Sequence, residues 1–217
     1  KEKRILTLEQ DVLRAQMNPH FIFNALNSIK HYIINNEQKN AVHYLNKFSK
    51  LVRKILESST LKEVSLQEEL ETMDLYMTIE NIRFSNEIDF NINIDDNINL
   101  ETIKVPPLVL QPFLENAIWH GLSSKKDDKK IILSINKNTE GTVQITIKDN
   151  GIGREASAKI KSEKSLNRKS IGISLTKERL HNFSKNYKKE YAITYEDLKD
   201  ESLLSKGTKV IISIPLF

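Results

Sequence analysis

The sequence predicts an α+β protein in which a helical hairpin precedes an α/β sandwich, and two patterns support this prediction. In the first third of the chain, apolar residues recur at alternating spacings of three and four, which is typical of helices packed along a seam. Beyond residue 87, stretches in which every second residue is apolar are typical of strands, and helices lie between them without the rhythm of a doubly wound fold. We assign residues 1–62 to the helical hairpin, 63–86 to a connecting helix and 87–217 to the α/β domain.

Composition excludes several classes of protein. The 217 residues include no cysteine, which excludes disulfides and thiolate metal sites and fits the cytoplasm. No apolar run approaches the roughly 20 residues that span a bilayer, and no signal peptide is visible. The net charge of +4 is spread over Lys and Arg residues that mostly lie beside acids, unlike the clustered basic face of a nucleic-acid-binding protein. We therefore predict no nucleic-acid partner.

A stripe of apolar residues on the first helix predicts a packing seam. Its members are Ile5, Leu8, Val12, Ala15, Pro19, Ile22, Leu26, Ile29 and Ile33. A second helix, predicted over Gln38–Ser58, has the same spacing at Ala41, Leu45, Phe48, Val52 and Ile55. One hairpin cannot bury both sides of such helices, so we expect a homodimer whose two hairpins form a four-helix bundle.

The connecting helix is predicted to begin at Ser65, because Ser65 and Glu68 form an S-x-x-E capping box. Its apolar face is marked by Leu66, Leu70, Met73 and Met77. Near its end, Glu80 and Arg83 have the spacing of an ion pair along a helix, and we interpret this pair as structural.

The α/β domain is predicted to contain five strands and two helices. The strands are predicted at Ile88–Ile94, Lys130–Asn136, Thr142–Lys148, Tyr191–Tyr195 and Thr208–Ile214, and the helices at Leu108–Leu122 and from about Ile173 to Tyr187.

The segment Asp149-Asn150-Gly151-Ile152-Gly153 directly follows a predicted strand. A carboxylate at a strand end can accept a hydrogen bond from an exocyclic amine, and the glycines let the backbone approach a ligand closely. An Asn-Gly pair after a strand is also typical of a hairpin turn. The segment alone leaves both interpretations open.

The helix that follows Pro107 carries a second group of candidates. Asn116 is a neutral amide on an apolar helix, where burial without partners is costly; it is either a Mg²⁺ ligand, since Mg²⁺ prefers oxygen, or part of an exposed polar face. His120 is either a structural hydrogen-bonding residue or a nucleotide contact. Gly121 could simply end the helix as its C′ residue.

Gly172 precedes the second predicted helix of the domain. Free N–H groups and the helix dipole at such a position favour a phosphate. The polar segment Lys161–Ser170 before it is either a lid over a nucleotide or an ordinary solvated loop.

Taken in order, these motifs resemble those of the GHKL ATPase superfamily. Glu115–Ala117 looks like the N box, Asp149–Gly153 like the first glycine box, Gly172 like a reduced second glycine box, and Gly207-Thr208 like the last motif. The resemblance implies a Bergerat-type sandwich with a mixed sheet, and ATP with Mg²⁺ as its ligands. It also implies these positions in the site: Asn116 on Mg²⁺, His120 near the nucleotide, Asp149 on the adenine amine, Gly151, Gly153 and Gly172 around the lid, and Thr208 near the adenine.

A proline interrupts the first helix at Pro19, next to His20. Proline inside a helix costs about 3 kcal/mol, and such local rule-breaking is expected at functional sites. His20 lies one position past the seam, so we expect it to face outward. The segment N-P-H-F-I-F-N, together with Tyr76–Phe84 and Leu110–Ala117, resembles LytS-type sensor histidine kinases over nearly the whole chain.

This second resemblance implies a dimeric kinase that phosphorylates its own His20 from ATP and passes the phosphoryl group to a response-regulator aspartate. It also implies a cytoplasmic domain of a sensor protein, anchored in the inner membrane through an upstream region. Many such kinases have an acid after the phosphoacceptor, where this chain has Phe21. The general base is therefore open, with Glu115 as the candidate.

Two other functions compete with a kinase. One is a dimeric nucleotide-binding signalling module without catalysis, although Asn116, Asp149 and the glycines are all present. The other is an ATPase of the gyrase or Hsp90 type, a class that resembles this chain but carries a glutamate one turn before the Asn, where this chain has Pro112.

Overall fold

The computed structural model describes residues 19–138, 142–154, 156–157, 171–184, 191–202 and 204–215, except for the side chains of residues 19, 20, 171, 172 and 215. The seam positions predicted between Ile5 and Ala15, and the segment Lys161–Ser170, lie outside the described residues. The helices are α1 Pro19–Ile34, α2 Gln38–Ser59, α3 Leu66–Arg83, α4 Gln111–Asn116 and α5 Ile171–Ser184. The strands are β1 Val64–Ser65, β2 Ile88–Ile94, β3 Lys104–Val105, β4 Lys129–Lys137, β5 Thr142–Asp149, β6 Ala192–Lys199 and β7 Ser205–Pro215.

Helices α1 and α2 form the predicted hairpin. Of the predicted seam positions, Ala41 and Ile55 are buried, and Ile22, Ile29 and Phe48 pack against the core. Leu26, Ile33 and Leu45 are 51%, 58% and 45% exposed in this single chain, on the hairpin for which the sequence predicts pairing with a second copy. Phe21 and Ala25, outside the predicted seam, are also buried, because the hairpin packs against α3 as well.

Helix α3 begins where the sequence predicts. The Ser65 hydroxyl accepts a hydrogen bond from the Glu68 N–H (3.2 Å), and the Ser65 N–H donates to the Glu68 carboxylate (2.9 Å). All four residues predicted for its apolar face are buried, and so are Glu69, Tyr76 and Glu80. A helix with so many buried sides lies inside the structure, between the hairpin and the α/β domain.

The main sheet has five strands in the order β2-β4-β5-β7-β6. Strand β2 pairs with β4 in parallel and the other pairs are antiparallel, so the sheet is mixed, as predicted. Alternate residues of its central strands are buried in the core with α4 and α5: Ile131, Leu133, Ile135, Val143, Ile145, Ile147, Ile212 and Ile214. No helix in the described part of the chain is long and apolar enough to cross a membrane.

The helix predicted over Leu108–Leu122 is shorter and changes type. Leu108 has a positive φ of 57°, and its N–H donates to the buried Glu69 carboxylate (2.7 Å), so α4 begins only at Gln111. From Ala117 to Leu122 the chain continues as a π turn, closed by a bond from the Ser123 N–H to the Ile118 carbonyl (2.9 Å). Tertiary contacts at both ends override the α-helical pattern.

Candidate functional site

One pocket collects most of the residues that the motifs predict. It lies between α4 with its π turn, the end of β5, the glycine segment after it, and β7. Its lining includes Asn116, His120, Asp149, Gly153 and Thr208. The apolar part of the lining comes from Phe113, Ala117, Ile147, Ile173 and Val210. Polar groups thus converge on an apolar cleft, which is typical of a small-ligand site.

Asp149 is the buried carboxylate of this pocket. One of its oxygens accepts the Gly151 N–H (2.9 Å), and Thr208 is its partner in the β5–β7 register. Burial raises the pKa of Asp149 to about 6, and backbone groups, first that of Gly151, act in the opposite direction. The group is therefore mostly ionised at neutral pH and can accept a hydrogen bond from a ligand.

The glycines around Asp149 are required by close approach of the backbone. A Cβ on Gly151 would overlap the Gly121 carbonyl, and a Cβ on Gly121 would lie 2.8 Å from Oδ1 of Asp149. Gly121 lies within the π turn, so it is not the C′ residue that the sequence left open. Its carbonyl accepts the Ile152 N–H (3.1 Å), which fixes the glycine segment against the turn.

The alternative interpretation of the Asp149 segment as a hairpin turn is wrong. In the sheet, β5 lies between β4 and β7, so no hairpin partner follows it directly in the chain. Asn150 instead holds the segment to the start of β4: its side chain accepts the Lys130 N–H (2.8 Å) and donates to the Asp128 carbonyl (2.6 Å). Gly153, at φ 81°, and Gly207, at φ 127°, adopt backbone conformations that favour glycine.

Asn116 and Glu115 are adjacent on α4 but face different surroundings. Asn116 lines the pocket. Glu115 is absent from the described lining. Its carboxylate accepts a hydrogen bond from the Gln111 amide (2.9 Å). Burial raises the pKa of Glu115. The structure therefore does not bring the candidate base to the pocket wall.

Two other predicted residues lie on helices whose first side chains are not described. His20 is in the first turn of α1, and its predicted outward orientation lies outside the described atoms. Gly172 is in the first described turn of α5, and the next residue, Ile173, lines the pocket.

Arg154 and Tyr195 also line the pocket and were not predicted. The Arg154 guanidinium forms two bonds to Asp197 of β6 (2.7 and 2.6 Å) and lies over the Tyr195 ring at 5.3 Å. Tyr195 and Asp197 are two positions apart on a strand, which places them on one face. This alternation along the predicted strand was the signal in the sequence that places Tyr195 and Asp197 side by side.

Comparisons with known proteins agree with this fold. The model of the histidine kinase family matches residues 8–88. The sensor protein LytS of Oceanobacillus iheyensis is 36% identical over 143 residues, which cover 66% of this chain and 24% of that protein. The sensor histidine kinase YesM of Bacillus subtilis is 32% identical over 218 residues, covering 99% of this chain and 35% of that protein.

Among solved structures, the histidine kinase domain of a blue-light activated histidine kinase from Erythrobacter litoralis matches with a TM-score of 0.51 and 17% identity, covering 99% of this chain and 94% of that domain. The fold is therefore that of a histidine kinase catalytic region. The chain itself belongs to the LytS-type sensor histidine kinases. It spans about a quarter to a third of the length of the curated relatives described above.

Proposed function

We propose that this chain is the ATP-dependent catalytic core of a histidine autokinase that phosphorylates His20. The observation that carries the proposal is the convergence of Asp149, Thr208, Asn116 and His120 on one pocket. Asn116, Asp149 and Thr208 come from three separate motifs, and the pocket offers a carboxylate at one wall and an amide at another. This arrangement suits a nucleotide, whose base and phosphates need different partners.

The base end of the pocket is formed around Asp149. Its carboxylate is fixed by the Gly151 N–H and can accept the exocyclic amine of adenine, while Ile147 and Val210 supply apolar surface for the ring. Thr208 is opposite Asp149 in the β5–β7 register, so it belongs to the same end. Gly121 and Gly151 leave room that side chains would fill.

Asn116 is the residue that we assign to Mg²⁺. Among the described residues there is no group of three or more His, Asp or Glu side chains that could hold a metal ion alone. This fits Mg²⁺, which is commonly bound by few protein oxygens together with phosphates and water. The ion would neutralise charge on the phosphates during transfer.

The chemistry assigned to His20 is in-line attack by one imidazole nitrogen on the γ-phosphorus. An N–P bond forms, the bond to the β,γ-bridging oxygen breaks, and ADP leaves. Imidazole has an unperturbed pKa near 6.5, so it is mostly neutral and nucleophilic at neutral pH. The other ring nitrogen loses its proton to a base. Glu115 stays a prediction for that role; it accepts a hydrogen bond from the Gln111 amide and is not among the described residues that line the pocket.

We infer a homodimer from the surface of the hairpin. Large apolar side chains remain exposed on α1 and α2: Phe23, Leu26, Ile33, Ile34, Val42, Leu45 and Leu56. So much apolar surface on one module indicates a partner surface, and a second hairpin of the same kind matches it. Ile33→Glu should yield monomers in sedimentation, whereas Leu204→Glu, at an exposed leucine of the α/β domain, should leave the dimer intact.

The partner after His20 phosphorylation is proposed to be a response-regulator aspartate, and the protein's attachment to the inner membrane is proposed to lie outside this chain. The family resemblance and the LytS-type relatives support both.

The decisive experiment is incubation of the protein with γ-labelled ATP and Mg²⁺. Label that is acid-labile and alkali-stable, and that is lost in His20→Gln, is the expected result. His31→Gln is the matched control, since His31 is an exposed histidine on the same helix and should keep the label. Bound ATP without label in the wild type would indicate a nucleotide-binding signalling module instead.

A further inference from the structure

The floor of the pocket extends from β5 across β7 to the edge strand β6. Thr208 of β7 is in register with Asp149 of β5 on one side and with Asp197 of β6 on the other. Residues in register on neighbouring strands lie on the same face of a sheet, so these three form one row. The next row on that face, two positions along each strand, is formed by Ile147, Val210 and Tyr195. Tyr195 therefore extends the apolar surface that the proposed function assigns to the base.

Arg154 reaches this edge strand from the glycine segment, residues 150–153. The segment lies against the start of β7, where a Cβ on Gly153 would overlap the Ser205 hydroxyl. Arg154 follows directly, and its Nε and Nη2 donate to the two carboxylate oxygens of Asp197, at 2.7 and 2.6 Å. A bidentate pair of this kind fixes the plane of the guanidinium as well as its position.

Asp197 also neutralises the charge that Arg154 brings to the pocket. The hydrogen bonds from Arg154 lower the pKa of the Asp197 carboxyl, so both groups are charged at neutral pH and their charges cancel. A phosphate would have to compete with this carboxylate for the guanidinium. What Arg154 adds to the pocket lining is therefore a flat surface more than a positive charge.

The ring of Tyr195 is contacted by cations from two elements. The Arg154 guanidinium carbon lies 5.3 Å from the ring centroid, and the Lys177 ammonium of α5 lies 5.8 Å from it. Both are within the roughly 6 Å over which a ring face attracts a cation. The ring and the Arg154 guanidinium thus form one stacked surface on the β6 side of the pocket.

We propose that Tyr195 and Arg154, held by Asp197, form a wall of the base end of the pocket and determine how tightly an adenine nucleoside binds. The flat base packs against this wall, while its amine meets Asp149 on the other side of β7. Arg154 acts on the nucleoside and not on the phosphates, which the proposed function assigns to Asn116 and Mg²⁺. This inference rests on the proposed function, because it takes the pocket to bind ATP.

Arg154→Met tests the wall, because it keeps an extended side chain and removes both the guanidinium and the ion pair. The affinities of the full-length protein for adenosine, and for ADP with Mg²⁺, are measured by calorimetry; neither ligand has a γ-phosphate, so neither is consumed. We expect adenosine to bind about fivefold more weakly, the order of one cation–π contact. Adenosine is uncharged, so an Arg154 that contacts only phosphates would leave its affinity unchanged, and that result would overturn the proposal.

Lys209→Met is the matched control. Lys209 pairs with Glu196 (3.0 Å) between the same two strands, and Glu196 lies between Tyr195 and Asp197 in β6, so its side chain is on the opposite face of the sheet. The variant removes the same charge without changing the wall, and its adenosine affinity should match that of the wild type. Equal losses of adenosine affinity in Lys209→Met and Arg154→Met would contradict a local wall.

Asp197→Asn distinguishes a wall from a phosphate contact by the sign of its effect. It leaves Arg154 charged but no longer fixed, so adenosine should bind more weakly. Glu196→Gln makes the same change of charge on the opposite face of the strand. An ADP affinity that rises in Asp197→Asn but not in Glu196→Gln would indicate a guanidinium released to the phosphates, and would overturn the proposal.

The outcomes separate this inference from the proposed function. A wild type that binds neither ADP nor adenosine would overturn both. A wild type that binds them, with unchanged adenosine affinity in Arg154→Met, would overturn the wall alone. Thermal unfolding is measured in parallel, and an Arg154→Met variant that loses stability but keeps its adenosine affinity would also overturn the wall, since that result indicates a purely structural ion pair.

Discussion

Gly121 faces the Asp149 carboxylate so closely that a Cβ at position 121 would lie 2.8 Å from Oδ1. The obstructing atom is the end of a side chain, so Gly121→Ala can be accommodated by moving the Asp149 carboxylate. We expect the variant to fold and to lose about tenfold or more in ATP affinity, because the displaced carboxylate no longer meets the adenine amine. Calorimetric titration with ATP, alongside a thermal unfolding curve, measures both effects.

Gly151→Ala provides a contrast to that variant. Here the added Cβ would overlap the Gly121 backbone, and two backbones cannot separate without disrupting the glycine segment. We expect a clear loss of thermal stability in addition to lost binding. A Gly151→Ala protein as stable as the wild type would contradict the close packing of these two segments.

Adenine recognition should weaken in acid. Burial raises the pKa of Asp149 to about 6, and only the ionised carboxylate can accept the amine without losing its bond from Gly151. As pH falls from 7.5 to 5, ATP affinity should decrease by up to tenfold for each pH unit below about 6. Purine riboside triphosphate carries the same phosphates without the amine, so its affinity should change less over this range.

Stability should fall as pH rises, because of the buried Glu80 carboxyl. Burial raises the pKa of Glu80 to about 7, against the opposing effect of Arg83. Because the pKa of Glu80 is higher in the folded state than in the unfolded state, the protonated carboxyl favours folding. The stability that depends on this protonation is fully present below pH 4.5 and is lost as pH rises through 7. The shift corresponds to roughly 3 kcal/mol at most. Urea unfolding at pH 5 and pH 8 should show a smaller difference in Glu80→Gln than in the wild type.

The start of α4 should depend on Glu69. Its carboxylate accepts the N–H groups of Leu108 (2.7 Å) and Leu110 (3.0 Å) in the interior. Glu69→Ala leaves both donors without their partner, so we expect a loss of roughly 3 kcal/mol in the free energy of unfolding. Glu71→Ala is the control: its ion pair with Lys54 is half-exposed and should contribute less than about 1 kcal/mol. Equal losses in the two variants would contradict the role assigned to Glu69.

Local signals in the sequence predicted the elements whose causes are local. The start of α3 depends on two residues three positions apart, Ser65 and Glu68, and the structure has that capping box. The strand ahead of Asp149 follows from its alternation. Asp149 and Asn116 line the same pocket, and their roles toward a nucleotide stay predictions. The mixed sheet followed from the family resemblance, since strand pattern alone does not fix strand order.

What the sequence did not predict depends on contacts between distant residues. Leu108 adopts a positive φ where Glu69, 39 positions earlier, accepts its N–H, and no local pattern indicates such a partner. Arg154 meets Asp197 across 43 positions, which requires β6 to lie beside β7. Phe21 lies outside the predicted seam and is buried because it packs against Tyr76 of α3, 55 positions later.

The π turn from Ala117 to Leu122 joins residues five apart rather than four, and so takes up one residue more than an α turn. Removing one residue inside it would therefore favour an ordinary α turn and leave the residues after it facing nearly as before. The turn is thus a point at which chain length can vary by one residue without reversing the face that the helix presents to β5. Within this segment, an alignment gap of one residue does not by itself mark a related protein that has lost the pocket.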